Sequence, residues 1–244
     1  MALNPNIAFI NQSSIVSDQE ALSVMNALQI QLTRDFFPVW GENATLVFFS
    51  RNQQPPPGYW WLVISDSTES AEAAGYHDLS TEGMPMGYIF ARVLSELGLQ
   101  WSNTASHELL EMVEDPGTNI CVRRQDDKGD FALYAYEVCD PCEDDQFGYM
   151  INGILVSDFV FPSWFEDFKH PDGTQYDFMN YITAPFQILE GGFISVNEEY
   201  SNSGWNMEYG AFEKRTYHMR PHRGSRRDRR RTPRREWLSS RLRF

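Results

Sequence analysis

SHELLEMVEDP, residues 106–116, is the stretch that decides the fold of this 244-residue sequence. Its leucine, methionine and valine residues surround a few polar ones, so we expect a buried helix over residues 102–114 that Pro116 ends. Residues four apart in a helix lie on the same face, one turn apart. His107 and Glu111 therefore point the same way, and Glu108 lies beside that face.

This H-E-x-x-E arrangement predicts a metal site. An imidazole nitrogen of His107 and a carboxylate oxygen of Glu111 can bind one ion, and Glu108 can contact a water molecule on that ion without being a ligand. Buried carboxylates need a positive partner, which a cation supplies. A surface helix with charges four residues apart is the alternative interpretation, but it leaves the apolar residues on the other sides unexplained.

The segment after the helix supplies candidates for a third ligand, Glu137 and Asp140. Asp115 also has helical spacing from Glu111, but a proline follows it directly, and we expect it to end the helix. His77 is a further candidate, either as a ligand or as a residue at the rim of the site that contacts substrate.

The pattern S-H-E-x-x-E-x-x-x-D-P, followed after a short spacer by E-x-x-D-x-C, resembles the H-E-x-x-H motif of zincin metallopeptidases, with a glutamate in place of the second histidine. It is similar to a group of uncharacterised bacterial zincin-like proteins and, more distantly, to the plant Exordium (phosphate-induced) family. The resemblance spans roughly residues 100–145. The matching residues are Ser106, His107, Glu108, Glu111, Asp115, Pro116, Glu137, Asp140 and Cys142.

This resemblance implies a zincin-like fold, a zinc ion, and a ligand set of His107, Glu111 and, first among the remaining candidates, Glu137. Asp140 comes second, as a ligand or as a hydrogen-bond partner of one. A carboxylate in place of the second imidazole lowers the Lewis acidity of the metal. Another divalent ion, such as manganese, is therefore an alternative to zinc.

The flanking sequence predicts an α/β (α+β) fold. Ser17 and Glu20 match a capping box, and apolar residues at helical spacing follow it, so we expect a helix over about residues 18–36. β-branched and aromatic runs predict strands around this helix, in an order similar to the first half of zincins: a mixed sheet with the metal-binding helix buried behind it. The predicted extended segments cover residues 6–10, 44–50, 60–65, 75–79 and 87–93.

The second half of the chain has a different pattern. Residues 131–139 are predicted to be extended, and Asn152-Gly153 between two apolar runs indicates a type I′ hairpin. From residue 162 onward, short aromatic segments alternate with glycine, proline and asparagine. We expect a loop-rich half with few long elements.

Charge divides the chain into an acidic domain and a basic tail. Residues 1–212 carry 7 Lys+Arg and 31 Asp+Glu, a net charge of −24, whereas residues 213–244 carry 13 and 3, a net charge of +10. The domain is predicted to comprise a sheet-and-helix half, 1–115, and an irregular half, 116–212. Its sign argues against a nucleic-acid-binding main domain, because phosphates would be repelled.

The arginine-rich tail allows three interpretations. It can bind nucleic acid as a flexible arm, lack a fixed structure, or dock on the acidic domain of its own or a neighbouring subunit. We favour docking, because the acidic domain provides a partner and apolar residues near the end provide anchors. These anchors are Trp237, Leu238, Leu242 and Phe244.

Cysteine content and hydropathy bound the setting of the protein. Cys139 and Cys142 form a C-x-x-C, but a zinc ribbon needs a second pair, and the three carboxylates that follow would raise rather than lower a thiol pKa. The sequence has no run of 18 apolar residues and no signal-peptide pattern. We expect a cytoplasmic protein with no membrane partner; export without a signal and a phage origin remain open.

Two hypotheses of function follow. The first is a zinc-dependent hydrolase, a metallopeptidase acting on a peptide or protein, in which Glu108 is the general base that activates a metal-bound water. His77, Tyr134 and Tyr136 are then candidates for contacting the substrate or stabilising the oxyanion. The second is a non-catalytic zincin-like protein whose metal site is structural or degenerate and which works in assembly or binding.

Overall fold

A computed structural model describes residues 4–66, 74–125, 129–198 and 205–210 of the chain. The predicted arginine-rich tail, 213–244, and its docking lie outside these described residues. Among the described residues, no helix combines the length and the apolar character that crossing a membrane requires.

A five-stranded mixed sheet forms the first layer, with the strand order β2-β1-β3-β5-β4. Strands β1, β2, β3 and β5 run parallel, and β4 pairs antiparallel with β5. Ile7 and Phe9 of β1 are fully buried, because a central parallel strand is covered on both faces. The strands are β1 Asn6–Asn11, β2 Thr45–Phe49, β3 Trp60–Ser65, β4 Gly75–Leu79 and β5 Pro85–Phe90.

The first predicted helix is confirmed as α1, Asp18–Ile30, which continues as a π-helical stretch, Gln31–Phe36, and as α2, Phe37–Trp40. The Ser17 side chain caps α1 by accepting the N–H of Glu20 at 3.2 Å, as the capping pattern predicts. Glu20 itself accepts the indole N–H of Trp101, 2.8 Å away, so the cap also touches the start of the helix that carries the H-E-x-x-E motif.

Two further helices, α3 Ala91–Leu97 and α4 Trp101–Glu114, lie between the sheet and the second half of the chain. The extended segment predicted over residues 87–93 is therefore wrong at its end: β5 stops at Phe90, and Ala91 and Leu94 are buried on one face of α3. The α3 helix ends at Gly98, whose φ of +72° gives the left-handed cap that glycine adopts without strain. Gly98 was the feature of the sequence that could have predicted the end of this short helix.

Helix α4 is buried along most of its length, as predicted, and packs against β4, β5 and a strand of the second half, β9 (Ile154–Val156). Asp115 ends it: the Asp115 carboxylate accepts the N–H groups of Asn119 and Ile120, at 3.2 and 2.7 Å. The expectation that Asp115 terminates the helix rather than binding metal agrees with this arrangement, because its oxygens hold the turn that follows.

The second half contains a four-stranded antiparallel sheet, in the order β11-β10-β7-β6, and a separate hairpin. The predicted hairpin is confirmed, with Asn152 and Gly153 at φ of +51° and +81°, as a type I′ turn requires. The four-stranded sheet was not predicted, because β7 and β10 are far apart in the sequence and the separate hairpin lies between them. The strands are β6 Cys121–Gln125, β7 Phe131–Ala135, β8 Tyr149–Ile151, β9 Ile154–Val156, β10 Phe193–Glu198 and β11 Trp205–Tyr209.

A buried polar chain joins α4 to both halves of the protein. The Ser106 hydroxyl donates to Gln31 Oε1 at 2.7 Å and accepts the N–H of Ser157 at 2.9 Å. Gln31 in turn donates through Nε2 to the carbonyl of Ser157 at 2.8 Å. Since Ser106 precedes His107, this network fixes the start of the H-E-x-x-E motif.

Replacing Ser106 with alanine is expected to lower the free energy of unfolding by about 1–3 kcal/mol, because two buried groups lose their partner. Urea unfolding followed by circular dichroism measures the change. Ser23→Ala, on the exposed side of α1, is the matched control and should cost less than about 0.5 kcal/mol. Equal effects of the two substitutions would contradict the role given to the network.

Two buried carboxyl groups, Asp158 and Asp177, face each other in the loop-rich half. Asp158 accepts the N–H groups of Phe159 and Met179 through Oδ1, at 2.8 and 3.1 Å. Burial, followed by the hydrogen bond and the charge of Asp177, raises the pKa of Asp158 well above its usual value. The neutral, protonated form of Asp158 is therefore favoured beside the carboxylate of Asp177.

Replacing Asp158 with asparagine keeps the shape of the side chain and removes its titrating proton. Wild type holds a proton on Asp158 that the unfolded chain loses near pH 4, so its stability falls as pH rises from there to the raised pKa. The variant should gain on wild type across this window, by roughly 1.4 kcal/mol per pH unit. Urea unfolding at several pH values tests this, with exposed Asp172→Asn as control; parallel curves for Asp158→Asn and wild type would contradict the raised pKa of Asp158.

Candidate metal centre

Helix α4 presents its three motif residues in a buried setting, with His107, Glu108 and Glu111 exposed by only 8, 6 and 2%. His107 Nε2 lies 3.2 Å from Glu111 Oε2, the contact that their spacing of four residues predicts. The two side chains can therefore bind one ion together.

The segment after β7 brings the two predicted carboxylates to the same place. Asp140 opens a 3-10 turn, Asp140–Cys142, and its Oδ1 lies 3.2 Å from His107 Nε2. The backbone N–H groups of Cys139 and Asp140 donate to Glu111 Oε1, at 3.0 and 3.3 Å. Glu111 thus fixes the segment that carries Glu137 and Asp140 against the helix.

Strand β4 adds His77, whose role the sequence left open between a ligand and a contact to substrate. His77 Nδ1 lies 3.0 Å from Glu108 Oε2 and 3.6 Å from Glu111 Oε2. On the other side of the ring, Nε2 lies 3.6 Å from Glu137 Oε2. His77 is therefore inside the cluster rather than at its rim.

A glycine makes this approach possible. Gly75 lies two residues before His77 on β4 and so faces the same side of the sheet. A side chain at this position would meet Thr104 Cγ2 at 2.8 Å and Glu108 Oε1 at 2.9 Å, too close for either. The absence of a Cβ at Gly75 lets the helix and Glu108 lie directly against the strand.

Two residues near the cluster were not among the sequence candidates. The Cys139 thiol lies within 4.8 Å of ligand atoms of His107 and Glu111, and a carboxylate oxygen of Glu143 lies within 4.8 Å of those of His107 and Asp140. Burial raises the pKa of the Cys139 thiol well above its usual value, which disfavours the thiolate that binds metal. Sequence spacing to Asp140 was the only available signal for either residue.

The structure does not bring the two candidate tyrosines to the cluster. Tyr134 packs against Phe186, with the guanidinium of Arg124 over its ring, and Tyr136 packs between Trp40 and Phe165. Successive side chains of an extended segment point to opposite sides, so Tyr136 faces away from its neighbour Glu137. Both rings pack outside the cluster, and the assignment of their hydroxyl groups to substrate or oxyanion contact stays a prediction.

Negative charge dominates the cluster. Burial alone lowers the pKa of His77, but the hydrogen bond to Glu108 and the charges of Glu137 and Glu111 outweigh it and raise that pKa to about 9. The pKa of Glu111 is raised, first by burial and then by the neighbouring carboxylates, against the opposing effect of His107. Both pKa values are raised because the buried carboxylates have too little positive charge near them.

The donors fit a divalent ion. Ligands of a tetrahedral ion with bonds of ~2.0–2.1 Å lie about 3.3 Å apart, close to the 3.2 Å from His107 Nε2 to both Glu111 and Asp140. His77 Nε2 is buried and has no hydrogen-bond partner among the described residues, which leaves its lone pair or proton uncompensated. Imidazole nitrogen with carboxylate oxygen suits zinc, and a carboxylate excess also suits manganese.

Comparisons with known proteins give no relative: the chain matches no family model, no curated protein and no solved structure. The function must therefore be inferred from the residues and their geometry. The resemblance to zincins stays a prediction.

Adding Zn²⁺ to the chelator-treated chain is expected to raise its unfolding temperature, because binding to the folded state alone stabilises by about 2.7 kcal/mol at a hundredfold excess over Kd. His107→Ala and Asp140→Asn should lose most of this shift. Asp167→Asn, which removes an exposed partner of Arg124, is the control and should keep it. Shifts of the same size in all four proteins would place the metal elsewhere.

Proposed function

We propose that this protein is a zinc-dependent hydrolase whose substrates are peptides or proteins. One observation carries the proposal: Glu108 is held beside the His107–Glu111 pair without being part of it, with Oε2 fixed by His77 at 3.0 Å. A hydrolase needs this separation, since one set of groups must hold the ion and another must handle the proton.

The division of labour within the cluster follows from the distances. His107 and Glu111, with Asp140 or Glu137, would hold the ion. The ion would supply a Lewis acid that polarises a carbonyl group and makes water more acidic. Glu108 would accept the proton of the attacking water as general base, and His77 would keep the Glu108 carboxylate in place during this transfer.

The peptide class of substrate is supported by the resemblance of H-E-x-x-E to the zincin motif and by the order of strands and helices that precedes it. The five-stranded sheet with one antiparallel strand beside α4 agrees with the mixed sheet that this resemblance implies. Glu111 and the carboxylates after β7 distinguish this ligand set from one with a second motif histidine.

Replacing Glu108 with glutamine keeps the shape and removes the base, so turnover of a peptide library is expected to fall by about 10²–10⁴ with the metal content unchanged. Mass-spectrometric detection of cleaved peptides measures turnover, and elemental analysis measures metal. Glu114→Gln, on the same helix but outside the cluster, should retain activity. A metal-loaded wild type that cleaves nothing, or a Glu108→Gln variant as active as wild type, would refute the hydrolase.

Burial favours a second candidate function, a non-catalytic zincin-like protein with a structural metal. The side chains of the cluster are all buried, and Glu137 and Asp140 are exposed by only 5 and 3%. The cluster consists of His77, His107, Glu108, Glu111, Glu137 and Asp140. Structural metal sites are closed by protein ligands, whereas catalytic sites keep a position for water or substrate. A protein that unfolds on chelation and stays inert toward peptides after reloading would identify this alternative.

A further inference from the structure

The cluster offers more donors than one ion needs. A zinc ion in a protein takes four ligands, and a catalytic one takes three and keeps the fourth position open. Here two imidazoles and four carboxylates are buried together on β4, α4 and the segment after β7. These residues are His77, His107, Glu108, Glu111, Glu137 and Asp140.

The donors fall into two groups that share one residue. One group contains His107, Glu111 and the carboxylate of Asp140, with 3.2 Å between His107 Nε2 and each carboxylate. The other contains His77, Glu111 and Glu137, whose ligand atoms all lie within 4.8 Å of one another. Glu111 Oε2 lies 3.2 Å from Nε2 of His107 and 3.6 Å from Nδ1 of His77, so it faces both rings. Its place in the second group follows from the separation, within 4.8 Å, of ligand atoms in His77, Glu111 and Glu137.

His77 has the arrangement of a metal-binding histidine. Such a residue commonly gives one ring N–H to a carboxylate and binds the metal through the other nitrogen. His77 Nδ1 is 3.0 Å from Glu108 Oε2, while Nε2 is buried without a hydrogen-bond partner among the described residues and is turned toward Glu137. This buried nitrogen is an independent indication of a ligand on the side of the cluster away from Asp140.

Charge points the same way. When both imidazoles are neutral, as metal binding requires, four ionised carboxylates carry a net charge of −4, which one divalent ion reduces to −2 and two divalent ions neutralise. Buried charge that is left unbalanced is costly.

We propose that the cluster is a two-metal centre, in which Glu111 bridges one divalent ion bound by His107 and Asp140 and a second bound by His77 and Glu137. This inference rests on the proposed metal site but not on hydrolysis. Paired ions usually lie ~3.5–4 Å apart and act together on one substrate. In the proposed centre, Asp140 would bind the first ion and Glu137 the second.

Metal stoichiometry of the full chain tests the proposal. After chelation and reloading with Mn²⁺, elemental analysis should find two ions per chain in wild type and one in His77→Ala or Glu137→Gln. His170→Ala, a histidine outside the cluster, should keep two. At saturation the electron paramagnetic resonance spectrum of wild type should show two exchange-coupled Mn²⁺ ions, and that of His77→Ala should show one isolated ion.

The outcomes separate the two proposals. One ion in wild type, or an uncoupled spectrum at saturation, would overturn the two-metal centre and leave the hydrolase standing. No bound metal at all would overturn both. Two ions retained in both His77→Ala and Glu137→Gln would overturn the second set of ligands. Circular dichroism establishes whether each variant is folded. If both variants fail to fold, the metal content and the electron paramagnetic resonance spectrum of wild type still decide the proposal.

Discussion

The carboxylate of Glu111 is the interaction on which the arrangement of the chain depends. Its Oε1 accepts two backbone N–H groups, from Cys139 and Asp140, and so ties the segment after β7 to helix α4. Its Oε2 faces the imidazoles of His77 and His107. One side chain therefore joins the two halves of the fold and lies at the centre of the candidate site, so the proposed metal would also stabilise the contact between the halves.

Burial of like charges is the second constraint, and it is the physical reason for proposing a cation at this centre. Removing carboxylates from water costs several kcal/mol each unless hydrogen bonds and opposite charges compensate. Backbone N–H groups and the His77 contact compensate part of this cost for Glu111 and Glu108. A divalent ion would compensate more of it, since each ion would cancel two buried charges.

Local patterns predicted the parts of the site that lie close in sequence, and long-range pairing determined the rest. The spacing of His107 and Glu111 is enough to place both on one helix face, and Asn152-Gly153 is enough to define a turn. His77 entered the cluster because β4 runs antiparallel beside β5, a pairing that its own segment does not specify. The sequence position of Tyr134 near Glu137 does not reveal which side of the chain it faces, and its ring packs against Phe186.

Anomalous diffraction from crystals grown with zinc would locate the proposed ion. Data collected on both sides of the zinc absorption edge should show a peak ~2.0–2.1 Å from His107 Nε2, with a carboxylate oxygen of Glu111 as a second ligand. A well-ordered cluster without an anomalous peak, in crystals grown with excess zinc, would contradict a metal site on this helix: the buried carboxylates would then be balanced by protons alone.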